Sequence, residues 1–97
     1  MSVNREKLFD EARLLTQDRG RVYGSPYTNH RRIADIWSGI LDMPITAHQV
    51  VLCMVGLKIA RLVETPTHHD SVADSVAYLG FYEDVIDGQL NDNYEKF

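Results

Sequence analysis

Apolar residues recur at helical spacing in four separate stretches of this chain. Leu8, Ala12 and Leu15, with Arg, Lys and Glu on the opposite side, predict an amphipathic helix over about Asn4 to Gln17. Ile33, Ile36, Trp37, Ile40 and Leu41 form an i, i+3, i+4, i+7, i+8 stripe. They predict a second helix, capped by Thr28 or Asn29, that turns this stripe to the core and stops at Asp42-Met43-Pro44. Thr46-Ala47-His48-Gln49 has the form of a capping box, so a third helix is expected over about Ala47 to Glu64. It is apolar on nearly every side until Lys58 and Arg61, which marks it as the most buried element. Thr65-Pro66 ends it, and Val72, Ala73, Val76, Leu79 and Tyr82 describe a fourth helix over about 68 to 87, stopping near Gly88.

The linker between the third and fourth helices is too short for anything but an antiparallel hairpin. The expected fold is therefore all-α: a compact four-helix bundle with a central hairpin, about 47–64 and 68–87. A single domain is expected over 1–88, followed by a polar tail over 89–97. Between the first two helices, Asp18-Arg19-Gly20-Arg21-Val22-Tyr23-Gly24-Ser25-Pro26-Tyr27 holds two glycines and a proline, the mark of an ordered or ligand-facing loop.

Composition narrows the class. With 97 residues, 44% of them hydrophobic and 25% charged, the chain can bury one core and no more. No disulfide framework is available from one cysteine, so self-association is an expected source of stability, as a homo-oligomer. Cys53 lies in an apolar run and reads as a small core residue. With no signal peptide or membrane-length apolar run, the expectation is a cytoplasmic protein without a membrane partner. A net charge of −4 speaks against general nucleic-acid binding, but the charge is uneven. Residues 1–34 carry seven basic side chains against four acidic ones, whereas the segment from Glu64 onward carries eight acids and one lysine.

Two groups of residues could carry chemistry. Arg19, Arg21, Tyr23 and Gly24, followed by Asn29, Arg31 and Arg32, offer guanidinium donors, an aromatic face and a glycine that admits a ligand to the backbone. These are parts for binding a nucleotide or phosphate, although the same residues also suit a turn with surface ion pairs. Lys58 and Arg61 share one helical face, and Asp70 and Asp74 lie four apart on the facing helix. Ion pairs such as Lys58 with Asp74 follow, either as a structural cluster or as the wall of a polar pocket. His68, His69, Asp70 and Asp74 resemble a metal set only superficially, because the adjacent histidines diverge and the two cations oppose a metal. Trp37 reads as core, His30 and His48 have no partner at a telling spacing, and no Ser/His/Asp order, phosphate loop or zinc spacing occurs.

Two segments carry a resemblance. Asp18-Arg19-Gly20-Arg21-Val22-Tyr23-Gly24-Ser25-Pro26-Tyr27-Thr28-Asn29, and Leu57-Lys58-Ile59-Ala60-Arg61-Leu62 through His69-Asp70-Ser71-Val72-Ala73-Asp74, resemble a family of small phage and prophage proteins over about residues 10–82. That family is distantly similar to the all-α MazG-like nucleotide pyrophosphohydrolases, whose hairpin carries Glu-x-x-Glu on one helix and Glu-x-x-Asp on the next. There the acids hold Mg²⁺ against a triphosphate. Here the first pair falls on Lys58 and Arg61, and the second on Ser71 and Asp74, so only Asp74 survives, with Asp70 as a possible substitute.

The resemblance thus implies a nucleotide-binding protein on a MazG-like scaffold that lacks the metal acids, needs no cofactor and performs no catalysis. Lys58, Arg61, Arg19 and Arg32 would contact phosphate, Tyr23 would stack, and Gly24, Asn29, His69, Asp70 and Asp74 would complete the site. A phage setting makes sequestration of a nucleotide signal of antiphage defence the expected role. One alternative is a Mg²⁺-dependent pyrophosphohydrolase rebuilt from Asp70, Asp74, His69 and Glu83 or Asp84. Another is a helical protein-interaction module using the Trp37 face.

Overall fold

The structure, a computed structural model, describes residues 2–91 and consists of four α-helices joined by short connections: α1 (Ser2–Tyr23), α2 (Pro26–Leu41), α3 (Ala47–Glu64) and α4 (His69–Asn91). The all-α bundle and its hairpin are as the periodicity predicts. Lys58 near the end of α3 meets Asp74 near the start of α4, while the backbone N–H of His48 donates to Gln89 Oε1 at the other end (3.0 Å), so the two helices run antiparallel.

The helix ends explain where the chain turns. Thr46 and Gln49 form the expected capping box: Thr46 Oγ1 accepts from the Gln49 N–H (3.3 Å), and Gln49 Oε1 accepts from the Thr46 N–H (2.9 Å). The stretch 18–27, expected to be a loop, is mostly helix. α1 runs through Gly20 to Tyr23 and ends at Gly24, whose φ of 82° is the left-handed stop that glycine adopts without strain. Ser25, rather than Thr28 or Asn29, caps α2 by accepting from the Thr28 N–H (3.1 Å), and Pro26 sits in the first turn, where no N–H is needed. A proline and a glycine that look like breakers of one loop are the start of one helix and the end of another. At the end of α2, the Ser38 hydroxyl donates to the Ala34 carbonyl (2.7 Å) and accepts from the Ile45 N–H (2.9 Å), which folds the chain back toward α3.

The central element is α4, not α3. It packs against each of the other helices, whereas α1 and α3 do not pack on each other. Its buried face is Ala73, Ala77, Phe81 and Val85, a strict i, i+4 row preceded by Ser71; of the expected stripe, Val72, Val76 and Tyr82 are half-buried and Leu79 is exposed. Small residues at 71, 73 and 77 let three helices approach one axis. Val50, Val51 and Val85 are fully buried, and Tyr27, Tyr78 and Tyr82 pack around Ala47, Val51 and Val85. Burial of each such valine contributes about 1.5 kcal/mol or more. The outer half of α3 stays in water: Leu52, Leu57, Ile59 and Val63 are exposed, and so is Cys53, which corrects its expected burial. The α2 stripe is likewise only partly inward, with Ile36, Ile40 and Leu41 exposed and Ile33 and Trp37 half-buried. α4 continues through Gly88 to Asn91, so Gln89 belongs to the helix and not to a tail; residues 92–97, the rest of the expected tail, lie outside the described residues.

His30 is the buried polar residue of α2, at 4% exposure. Its Nδ1 lies 2.7 Å from the Pro26 carbonyl, which can only accept, so Nδ1 carries the proton and the neutral ring leaves Nε2 as an acceptor. Tyr78 and Phe81 flank the ring at 6.1 and 6.0 Å between centroids. Burial pushes the His30 pKa below its ordinary value, outweighing the upward pull of the Pro26 carbonyl.

Two outcomes follow from this packing. A Cβ on Gly88 would sit 2.5 Å from Tyr27 Cγ, whereas one on Gly39 meets nothing within 4 Å. Gly88→Ala is expected to lower stability by about 1–2 kcal/mol and Gly39→Ala to raise it by up to about 1 kcal/mol, read as opposite shifts in thermal midpoint. The depressed pKa of His30 means that the unfolded chain takes up its proton first as pH falls. Its contribution to stability is complete above the ordinary histidine range and declines as pH drops below it. Urea titrations at neutral and mildly acidic pH should show that loss, and His30→Gln should diminish it.

Candidate functional site

Asp74 holds together three helices that would otherwise meet only in pairs. From α3, Lys58 Nζ lies 3.0 Å from Asp74 Oδ2; from α1, Arg19 Nη2 donates to Asp74 Oδ1 at 3.3 Å. Side-chain exposures of 11% for Lys58, 18% for Asp74 and 27% for Arg19 make the triad partly buried, where an ion pair is stronger than on the rim but also costs desolvation. The Lys58–Asp74 pair is the one expected from spacing. Arg19 completes it and lays its guanidinium 5.3 Å from the centroid of Tyr78, while its Nη1 is buried with no hydrogen-bond partner among the described residues.

Beside this triad opens a cavity of about 360 Å³ between α1, α2, α3 and α4. His30, Tyr78 and Phe81 supply its deep part, Ile33 and Met54 its apolar wall, and Arg19, Gly20, Tyr23, Gly24, Pro26 and Asn29 its mouth. The α1–α2 corner builds that mouth: the left-handed Gly24 turns the chain sharply enough to bring Tyr23 and Asn29 to the same opening. A broader groove of 560 Å³ runs along the outer side of α1 and α4, with Glu11, Asp18, Arg21, Asp70 and Asp74 among its lining.

Four of the ten expected site residues, Arg19, Tyr23, Gly24 and Asn29, share the cavity; Lys58 and Asp74 adjoin it through Arg19. The others are placed elsewhere. Arg32 and Arg61 are exposed on α2 and α3 and do not line the cavity, and Asp70 faces the α1–α4 groove. His69 Nε2 pairs with Glu11 Oε2 at 2.7 Å, tying the start of α4 to α1. Among the described residues no group of three His, Cys, Asp or Glu side chains is close enough to hold a metal ion, so His69, Asp70, Asp74, Glu83 and Asp84 are not gathered into one site. The reading from sequence missed His30, Tyr78 and Phe81. His30 lies four residues before Ala34 and could have been found as part of that buried row; Tyr78 and Phe81 were hidden by an α4 stripe placed out of phase.

Removing one member of the triad leaves a partly buried charge unbalanced. Lys58→Met is expected to cost about 2–3 kcal/mol in urea denaturation, and Lys58→Met combined with Asp74→Leu less than the sum of the two single changes, with a coupling of about 1–3 kcal/mol. Additive losses would show that the pair does not bind the helices together.

Comparison with known proteins agrees on one family. Residues 7–86, which include every cavity and triad residue, match the family described as "Domain of unknown function (DUF6378)". The chain is 36% identical over 89 residues to "Gene 55 protein" of Mycobacterium phage D29, covering 87% of this chain and 59% of that protein. It is 35% identical over 71 residues to "Gene 55 protein" of Mycobacterium phage L5, covering 72% of this chain and 46% of that one. The chain thus spans about half the length of the curated relatives it matches. No solved structure matches it. These matches carry no likeness to MazG-like enzymes. With the family match spanning most of its length and phage proteins as its relatives, the chain belongs to the DUF6378 family.

Proposed function

We propose that this chain is a nucleotide-binding protein whose ligand enters the cavity between the α1–α2 corner and α4. The cavity itself carries the reading: about 360 Å³, inside the range of small-molecule sites, with aromatic surfaces, two uncharged polar groups and one cation arranged around it. Tyr23 and Tyr78 offer faces for a base. Asn29 and the His30 Nε2 acceptor offer hydrogen bonds to its edge. Arg19, which lines the cavity, offers a guanidinium to phosphate. Lys58 holds Asp74, and Asp74 positions Arg19, so Lys58 acts on the ligand through the arginine.

Binding is favoured over hydrolysis by the state of Asp74. The one acid that falls at a metal-ligand position of the MazG-like pattern has a cation on each of its oxygens. The phage relatives give the biological setting, in which a small binder that holds a nucleotide intact would withdraw a signal of antiphage defence.

Isothermal titration against nucleoside triphosphates, cyclic dinucleotides and ADP-ribose derivatives, with and without Mg²⁺ and with recovery of the ligand, tests the reading. Metal-independent binding of an intact ligand is expected. Tyr23→Ala and Arg19→Gln should each weaken it at least about tenfold, which is about 1.4 kcal/mol, and Arg32→Ala and Arg61→Ala should leave it nearly unchanged. Mg²⁺-dependent release of pyrophosphate would make the protein an enzyme instead. Silence across the panel would leave an interaction module as the better reading.

A further inference from the structure

α3 is the most apolar helix of the chain and lies on the outside of the bundle. One side carries Ala47, Val50, Val51, Met54 and Lys58 toward α2 and α4; directly opposite lie Leu52, Cys53, Gly56, Ile59, Ala60 and Val63, all exposed. Leu52 is 48% exposed, Ile59 52% and Val63 80%. From Ala47 to Leu57 the helix has no charged residue, and Lys58, its first, points inward. A helix that is apolar all round is normally covered on all sides, and a contiguous exposed strip of this kind marks an interaction surface.

We propose that this strip is covered by the same strip of a second copy, α3 against α3, in a two-fold symmetric dimer. The area fits. The strip presents on the order of 500 Å² of surface, so two copies can bury at most about 1,000 Å², the size at which a specific interface begins. Its charge also fits. The chain carries a net charge of −4, so two copies repel in general, yet this strip has no charge to repel its counterpart and none to attract an ionic partner. Its shape is self-complementary as well: Cys53, Gly56 and Ala60 alternate with Leu52, Ile59 and Val63, and Gly56 has open space around it, so bulky residues of one copy can seat on small ones of the other. Coverage by a second copy puts Cys53 back where an unpaired cysteine ordinarily sits, out of water.

Sedimentation velocity on the full chain reads the oligomeric state, and the rate of Cys53 alkylation reads the location of the contact. A dimer at micromolar concentration is expected, with slow Cys53 modification that speeds up on dilution. Ile59→Glu and Val63→Lys change residues already in water and should leave far-ultraviolet circular dichroism intact, yet give a monomer with a fast-reacting Cys53. Leu14→Glu, on exposed α1, should leave the dimer in place. A wild-type chain that remains monomeric at high concentration overturns the proposal. So does a dimer that survives Ile59→Glu or is broken by Leu14→Glu.

Discussion

The carboxylate of Asp74 is the constraint on which the arrangement of this bundle depends. α1 and α3 do not pack on each other, and both are oriented by what they bring to α4. Lys58 reaches one oxygen of Asp74 and Arg19 the other, so a single acid on the central helix fixes the rotation of two outer helices at once. Apolar contacts alone specify that rotation poorly at this end, because α4 offers mainly small side chains there, Ser71, Ala73 and Ala77. Charges held below the surface are costly unless paired, which makes any rotation that separates them unfavourable. At the opposite end the same task falls to packing: Tyr27 lies against Gly88 so closely that a Cβ at that position would force one of them to shift.

This division between a polar end and an apolar end also explains where the cavity lies. Arg19 spans from Asp74 to the face of Tyr78 and lines the cavity that opens beside them. The space left over is bounded by His30 and Phe81 below and by the Gly24 corner above. A buried histidine with its Nδ1 proton committed to the backbone keeps a neutral acceptor among the aromatic side chains of the cavity. The lining of the cavity and the geometry of the bundle therefore share the same arginine.

The sequence made the helices legible and their phases less so. Capping signals that rest on local hydrogen bonding, such as Thr46 with Gln49, read through unchanged because nothing distant competes with them. Lys58 with Asp74 was also readable, since a hairpin with a short linker leaves few registers open. The α1–α2 corner was not, because Gly20 and Gly24 look alike in sequence; packing keeps one inside a helix and makes the other its end. The burial face of α4 was mistaken for a related reason. The expected stripe shares only Ala73 with the buried row: it continues through Val76, Leu79 and Tyr82, whereas the helix packed against three others buries Ala77, Phe81 and Val85. Tyr78 and Phe81 are absent from the expected site because of that phase, whereas Arg61 enters it through its spacing from Lys58 and the MazG-like resemblance, and the structure leaves it exposed.

α3 links the two surfaces left unfilled in the single chain. Met54 and Lys58 on its inner side form part of the cavity wall and the anchor of the triad, while Leu52, Ile59 and Val63 on its outer side stand in water. The helix is rigid over that length, so its two sides move together. The position of α3 sets where Lys58 meets Asp74, and Asp74 in turn meets Arg19 beside the cavity. Order at the cavity and cover on the outer face are for that reason one mechanical problem, solved or left unsolved by the same helix.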